Sequence, residues 1–154
     1  MAFSLPEEEK MRKEIAVNGE ESTVGTQLAM SRHLDLSNND FGGSPIPEFI
    51  GSLSKLRYLN LSCGAPLEVP RTLRNFSGLE YLNLENSHLF SVGSLEWLSH
   101  LSSLRHLDLS YINLTKSRDW FQVVAKLRSL KTFVLRSCAL PPINPSFICG
   151  WEIH

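Results

Sequence analysis

The sequence has no apolar run near the roughly 20 residues a helix needs to cross a bilayer. Its opening, MAFSLPEEEKMRKEIA, carries acidic side chains where an export signal would have its apolar stretch. As written, neither a membrane span nor a secretion signal is expected. Cysteine is scarce: Cys63, Cys138 and Cys149 are odd in number and widely spaced. They cannot all pair within the chain and fit no zinc-ligand spacing, so thiols are expected. An excess of one charge is missing too, since 15 Lys+Arg stand against 16 Asp+Glu for a net of -1. No overall field draws the chain to nucleic acid or to an anionic membrane. Common catalytic motifs are absent as well: there is no Gly-x-Ser-x-Gly, no His-Glu-x-x-His, no phosphate loop and no dinucleotide fingerprint. The five histidines are scattered. An enzyme is therefore not expected, nor is a cofactor or a bound metal.

What the sequence does have is a repeat. The segments SRHLDLSNNDF, LRYLNLSCGAP, LEYLNLENSHL, LRHLDLSYINL and LKTFVLRSCAL begin at residues 31, 56, 79, 104 and 130, at intervals of 25, 23, 25 and 26. Such a period belongs to leucine-rich repeats rather than to helical-pair repeats. In Leu-x-x-Leu-x-Leu the last two leucines fall on one face of a short strand and the residues between them on the other. The inward ladder is then Leu34/Leu36, Leu59/Leu61, Leu82/Leu84, Leu107/Leu109 and Phe133/Leu135. One copy cannot bury its own apolar face, but five stacked copies share a continuous core. The expected fold is an α/β right-handed leucine-rich-repeat solenoid of about five repeats, with a parallel sheet on its concave side and helical or irregular turns on its convex side.

The return segments PEFIGSLSKL, PRTLRNFSGL, SLEWLSHLSSL and SRDWFQVVAKLRSL carry apolar residues at helical or near-helical spacing. The last two read as short helices, with Ser94 and Ser117 as N-caps and Trp97 and Trp120 on the buried side. Residues 1–30 are polar and aperiodic and read as a flexible segment, partly helical around Glu7–Ala16. The repeat domain covers 31–147, and 148–154 form a non-repeat tail. Neither end offers a cap, so exposed core edges are expected. The ninth repeat position normally holds an Asn that bonds backbone groups as the chain leaves the strand. Its occupants here are Asn39, Gly64, Ser87, Ile112 and Cys138. Ser87 and Cys138 can do that work weakly, while Gly64 and Ile112 cannot do it with their side chains.

HLDLSNNDFGGSPIPEFIGSLSKLRYLNLS, residues 33–62, resembles the plant-specific class of leucine-rich repeat, whose Ile-Pro pair is matched by Ile46 and Pro47. Residues 94–143 resemble the early ectodomain repeats of plant receptor-like proteins of the disease-resistance type. The resemblance covers about residues 31–147. It implies a non-catalytic extracellular module of the plasma membrane that recognises defence or developmental ligands and signals through a partner receptor kinase. The family's cysteine-containing cap, further repeats, signal peptide and membrane helix are not found in this sequence. A non-functional gene fragment and an intracellular leucine-rich-repeat adaptor are the alternatives.

Outward positions on neighbouring strands stack about 4.8 Å apart. Beside the column Arg32, Arg57, Glu80, Arg105 and Lys131 runs a second, His33, Tyr58, Tyr81, His106 and Thr132, and then a third, Asp35, Asn60, Asn83, Asp108 and Val134. Aromatic and basic side chains over a polar floor suit a protein or peptide ligand. The expected contact residues are His33, Arg57, Tyr58, Tyr81, Arg105, His106, Asp108 and Tyr111. The same residues could equally serve only to stabilise the ladder. Five strands span only about 20 Å, close to the lower limit of a specific interface, so weak binding or self-association through uncapped ends is expected. Asn60, Asn75 and Asn113 head glycosylation sequons, with Asn75, on the convex side, the first candidate if the chain is exported.

Overall fold

The computed structural model describes residues 30–38, 48–62, 71–85 and 94–142. The segments read above as a flexible N-terminus and a non-repeat tail fall outside these, apart from Met30. Five three-residue strands form one parallel sheet in sequence order: β1 (His33–Asp35), β2 (Tyr58–Asn60), β3 (Tyr81–Asn83), β4 (His106–Asp108) and β5 (Thr132–Val134). The register is the one the repeat dictates. Leu34 pairs with Leu59, Leu59 with Leu82, Leu82 with Leu107 and Leu107 with Phe133. The second inward leucine of each copy continues the ladder just beyond its strand. The amides of Leu36, Leu61, Leu84 and Leu109 donate to Asn60, Asn83, Asp108 and Val134 carbonyls at 2.8–3.0 Å. At the strand entrances, the carbonyls of Arg32, Arg57, Glu80 and Arg105 each accept two amides of the next coil, at 2.8–3.0 Å. Together these bonds fix each coil on its neighbour before any side chain is considered.

The core lies between the sheet and the return segments. Leu34, Leu36, Leu59, Leu61, Leu82, Leu84, Leu107 and Leu109 are all at most 3% exposed. From the other side they meet Ile50, Leu53 and Leu56, then Leu73, Phe76 and Leu79, then Leu95, Leu98, Leu101 and Leu104, then Trp120, Val123, Val124 and Leu127. Each fully buried Leu is worth about 1.5–3 kcal/mol in transfer alone, and most of that requires a neighbouring coil. At β5 no such neighbour is described: Leu130, Phe133, Val134 and Leu140 are only partly buried, and Leu135 rises to 7% exposed.

The returns take two helix types. Three are 3-10 helices, Glu48–Ser52, Arg71–Asn75 and Glu96–His100, and one is an α-helix, α1 (Trp120–Lys126). The 3-10 helix advances about 2.0 Å per residue and the α-helix about 1.5 Å. Five residues of the first therefore cover nearly the same distance as seven of the second, so both types bridge a similar span. The sequence expectations for these returns change. The segment SLEWLSHLSSL is 3-10 rather than α-helical, and α1 begins at Trp120 with Asp119, not Ser117, at its cap position. Ser117 is instead buried, and its carbonyl accepts the Trp120 amide at 3.1 Å. Ser94 is likewise not at the cap position, which Leu95 holds without a side-chain cap bond; the Ser94 hydroxyl accepts the Glu96 amide at 3.1 Å and donates to Asp119 of the next coil at 2.6 Å. Trp120 is buried, and Trp97 packs partly buried against the core.

Candidate functional site

Because the register places residues of one column directly side by side, the third repeat position becomes a row of rings. His33 stacks on Tyr58 with centroids 4.0 Å apart, Tyr58 on Tyr81 at 4.3 Å and Tyr81 on His106 at 4.3 Å, all within 11° of parallel. The spacing is tighter than the strands alone would set, so the rings lean together. The stack closes both faces of Tyr58 and Tyr81 and one face each of His33 and His106. Solvent meets their edges, where the phenol hydroxyls and imidazole nitrogens lie. Burial pushes the Tyr58 phenol up, helped by Tyr81 and Asp35, so its O–H stays a donor at neutral pH. Burial pushes His106 down, against the pull of Asp108.

The charged column flanks the rings. Glu80 stands 3.9 Å from Arg57 and 3.6 Å from Arg105, all three side chains well exposed. Arg57 also donates to the Gly78 carbonyl at 2.7 Å, and a Cβ on Gly78 would crowd that guanidinium at 2.8 Å. One carboxylate thus serves two guanidiniums, and among the described residues no ion pair engages Arg32 or Lys131.

The third column does a different job. Asp35, Asn60, Asn83 and Asp108 each accept the amide two residues on, from Ser37, Ser62, Glu85 and Ser110, at 2.9, 3.1, 2.8 and 2.8 Å. These are Asx turns, in which a side chain stands in for a backbone acceptor as the chain leaves the strand. Asn60 also takes the Ser62 hydroxyl at 2.8 Å and donates to Asp35 at 3.3 Å. Burial raises the Asp35 carboxyl, but the bonds from Ser37 and Asn60 and the nearby His33 outweigh it, and the net position is below the usual carboxylate range. In the fifth copy Val134 has no acceptor, and the Arg136 amide turns to the buried Ser110 hydroxyl at 3.2 Å. The ring stack, the shared Glu80 and the Ser110 substitute were not foreseen from the sequence. The column pattern itself was the signal that could have revealed the first two.

Past the strands, Asn38, Tyr111 and Ser137 share the eighth repeat position and all have positive φ, 59°, 60° and 52°. Tyr111 is 50% exposed, and its amide donates to the Arg136 carbonyl at 2.8 Å. At the ninth position the Cys138 thiol donates to the Leu109 carbonyl at 3.0 Å, while Ile112 is simply buried in the core. Burial raises the Cys138 thiol, which is free. Asn39, Gly64 and Ser87 lie outside the described residues, as do Cys63 and Cys149. Of the sequon asparagines, Asn60 is half-buried and bonded as above. Asn75 is exposed at the end of a 3-10 helix, and Asn113 is exposed and accepts both the Thr115 amide and hydroxyl at 3.1 and 2.7 Å. Among the described residues no group of His, Cys, Asp and Glu is arranged to hold a metal ion, and no helix is long and apolar enough to cross a membrane.

Stacked three-residue parallel strands, each followed by a leucine ladder and a polar turn, define a leucine-rich-repeat protein. The family model described as Leucine Rich Repeat matches residues 32–53. Receptor-like protein EIX1 of Solanum lycopersicum is 45% identical over 121 residues, which are 78% of this chain and 12% of that protein. Receptor-like protein 39 of Arabidopsis thaliana is 41% identical over 86 residues, 55% of this chain and 10% of that protein. Further Arabidopsis thaliana relatives bear disease resistance names. A solved internalin from Listeria monocytogenes shares the fold at a TM-score of 0.54 and 23% identity, covering 74% of this chain and 30% of that one. The chain belongs with the plant leucine-rich-repeat receptor-like proteins. It spans about a tenth of the length of the curated relatives it matches.

Proposed function

We propose that the chain is a non-catalytic recognition module whose solvent-facing sheet binds a protein or peptide ligand, as part of defence signalling of the receptor-like type. His33, Arg57, Tyr58, Tyr81, Arg105, His106, Asp108 and Tyr111 form the contact surface in this reading. A receptor kinase is the signalling partner, and the extracellular face of the plasma membrane is the place of action. The observation that carries the reading is the ring row: four side chains held parallel by their own stacking give up little further rotamer freedom on binding. Tyr and Arg beside each other are also the residue types that dominate interface energetics. On the exported protein Asn75 is the sequon most open to a glycan, since Asn60 would have to surrender its turn bonds.

The test is a screen of secreted proteins and peptides, followed by affinity measurement on a Tyr58→Ala/Tyr81→Ala double variant whose circular dichroism matches the parent. Loss of binding is expected. Binding that is unchanged in the double variant removes the outer sheet face as the contact surface.

A further inference from the structure

The two tyrosines of the outer face offer edges, not faces, and this selects the chemistry of the ligand at the centre of the row. A cation bound by an aromatic side chain sits over the ring face, where the quadrupole is negative. A sugar stacked on a ring uses that face as well. In the row His33, Tyr58, Tyr81 and His106 the inner faces are closed by neighbours 4.0–4.3 Å away. What remains of Tyr58 and Tyr81 is the ring edge, the positive part of the quadrupole, carrying their hydroxyls. Alongside run the exposed Arg32, Arg57, Arg105 and Lys131, with Glu80 paired to the middle two. On the other flank the Asp35 and Asp108 carboxylates accept the Ser37 and Ser110 amides and keep their charge, so the cations line one side of the rings only.

We infer that this strip takes an extended polypeptide segment rich in Asp or Glu, laid across the strands. The inference rests on the reading that the outer sheet face binds a peptide, and it adds the sign and spacing of charge. Arg57 and Arg105 stand two strands apart, about 10 Å, which an extended chain covers in about three residues at 3.3 Å each. Glu80 lies between them. Side chains of an extended chain alternate in direction, so the favoured segment carries its acids two or four positions apart, all on the face turned to the strip. Arg32 and Lys131, one strand further out on each side, receive flanking acids.

The experiment uses a displayed random dodecapeptide library selected on the immobilised chain. Parallel selections use an Arg32→Glu/Lys131→Glu variant and, as a control off the strip, Arg128→Glu, all matched to the parent by circular dichroism. Selected peptides are expected to be enriched in Asp and Glu at spacings of two or four residues. Their affinity should fall about tenfold or more on the double variant, stay unchanged on the control, and weaken as salt is raised from about 0.05 to 0.5 M, where screening shortens to a few Å. Neutral or basic selected peptides overturn the inference, as does acidic enrichment that persists on the double variant. Polygalacturonate binding as tightly as the peptides overturns it too, by showing a general polyanion surface. If peptides of any charge lose binding on Tyr58→Ala/Tyr81→Ala, the outer-face reading stands even where the charge inference falls. If acidic peptides bind that variant unchanged, the outer-face reading itself falls.

Discussion

At the scale of single residues, the Asp or Asn that ends each of the first four strands is a turn-former before it is a surface group. Asn83 accepts the Glu85 amide at 2.8 Å in a half-buried setting. Replacing it with Ala removes one such bond, so Asn83→Ala should lose about 0.5–1.5 kcal/mol in urea unfolding, whereas Asn83→Asp, which keeps the acceptor, should lose less. His106 makes a pH-dependent contribution whose sign is fixed by burial. Its folded pKa is lowered, so the folded state binds fewer protons than the unfolded state as pH falls below the ordinary imidazole value. This part of stability is complete above that value and declines as pH drops through the folded one. An NMR titration of the His106 ring should place its midpoint below that of free imidazole, and His106→Phe should flatten the acid side of the stability profile. Tyr111 stands in the left-handed region, which costs a side-chain-bearing residue roughly 1–2 kcal/mol, and half of its surface faces solvent. Strain of this kind is retained where something else depends on it. Tyr111→Gly is therefore expected to raise the unfolding midpoint while weakening ligand binding, and unchanged binding would remove Tyr111 from the contact set.

At the scale of elements, packing between returns is as tight as packing between strands. Gly51, in the first 3-10 helix, lies so close to Thr72 of the next that an added Cβ would fall well inside van der Waals contact. Gly51→Ala should cost about 1–3 kcal/mol through separation of the two coils, measurable as a lower thermal midpoint. On the later coils the convex side is tied by polar links instead, Lys126 to Glu96 at 3.2 Å and Ser94 to Asp119 at 2.6 Å. The strands and their register were legible in the sequence because the leucine period is a strict geometric demand: a slip of one residue would put Leu34 or Leu59 in water. Helix type was less legible, since 3-10 and α segments carry the same apolar spacing over five to seven residues. The cap at Ser117 was misread for a related reason. The coil buries that serine completely, and burial is a tertiary fact that a local capping pattern does not contain. The outer columns were readable as lists of residues, but the lean that brings the rings to 4.0–4.3 Å is a packing outcome with no local signature.

At the scale of the molecule, the principal contacts among the described residues run between successive coils, so stability propagates along one axis. Leu84 and Leu107 are wholly buried between neighbours on both sides, while Leu135 sits at the last described strand and is partly open. Leu107→Ala should therefore cost about 2–5 kcal/mol and Leu135→Ala distinctly less. Amide hydrogen exchange should be slowest in β3 and β4 and fastest toward β5. A flat exchange profile would contradict a stack held together coil by coil.

The row of rings has an optical consequence. Two phenols lying nearly flat on each other at 4.3 Å are close enough for their electronic transitions to mix, so Tyr58 and Tyr81 should give a paired ultraviolet band of opposite signs that vanishes when either is changed to Leu. Any ligand that prises the row apart would report its own arrival by collapsing that band, with no label attached to the protein.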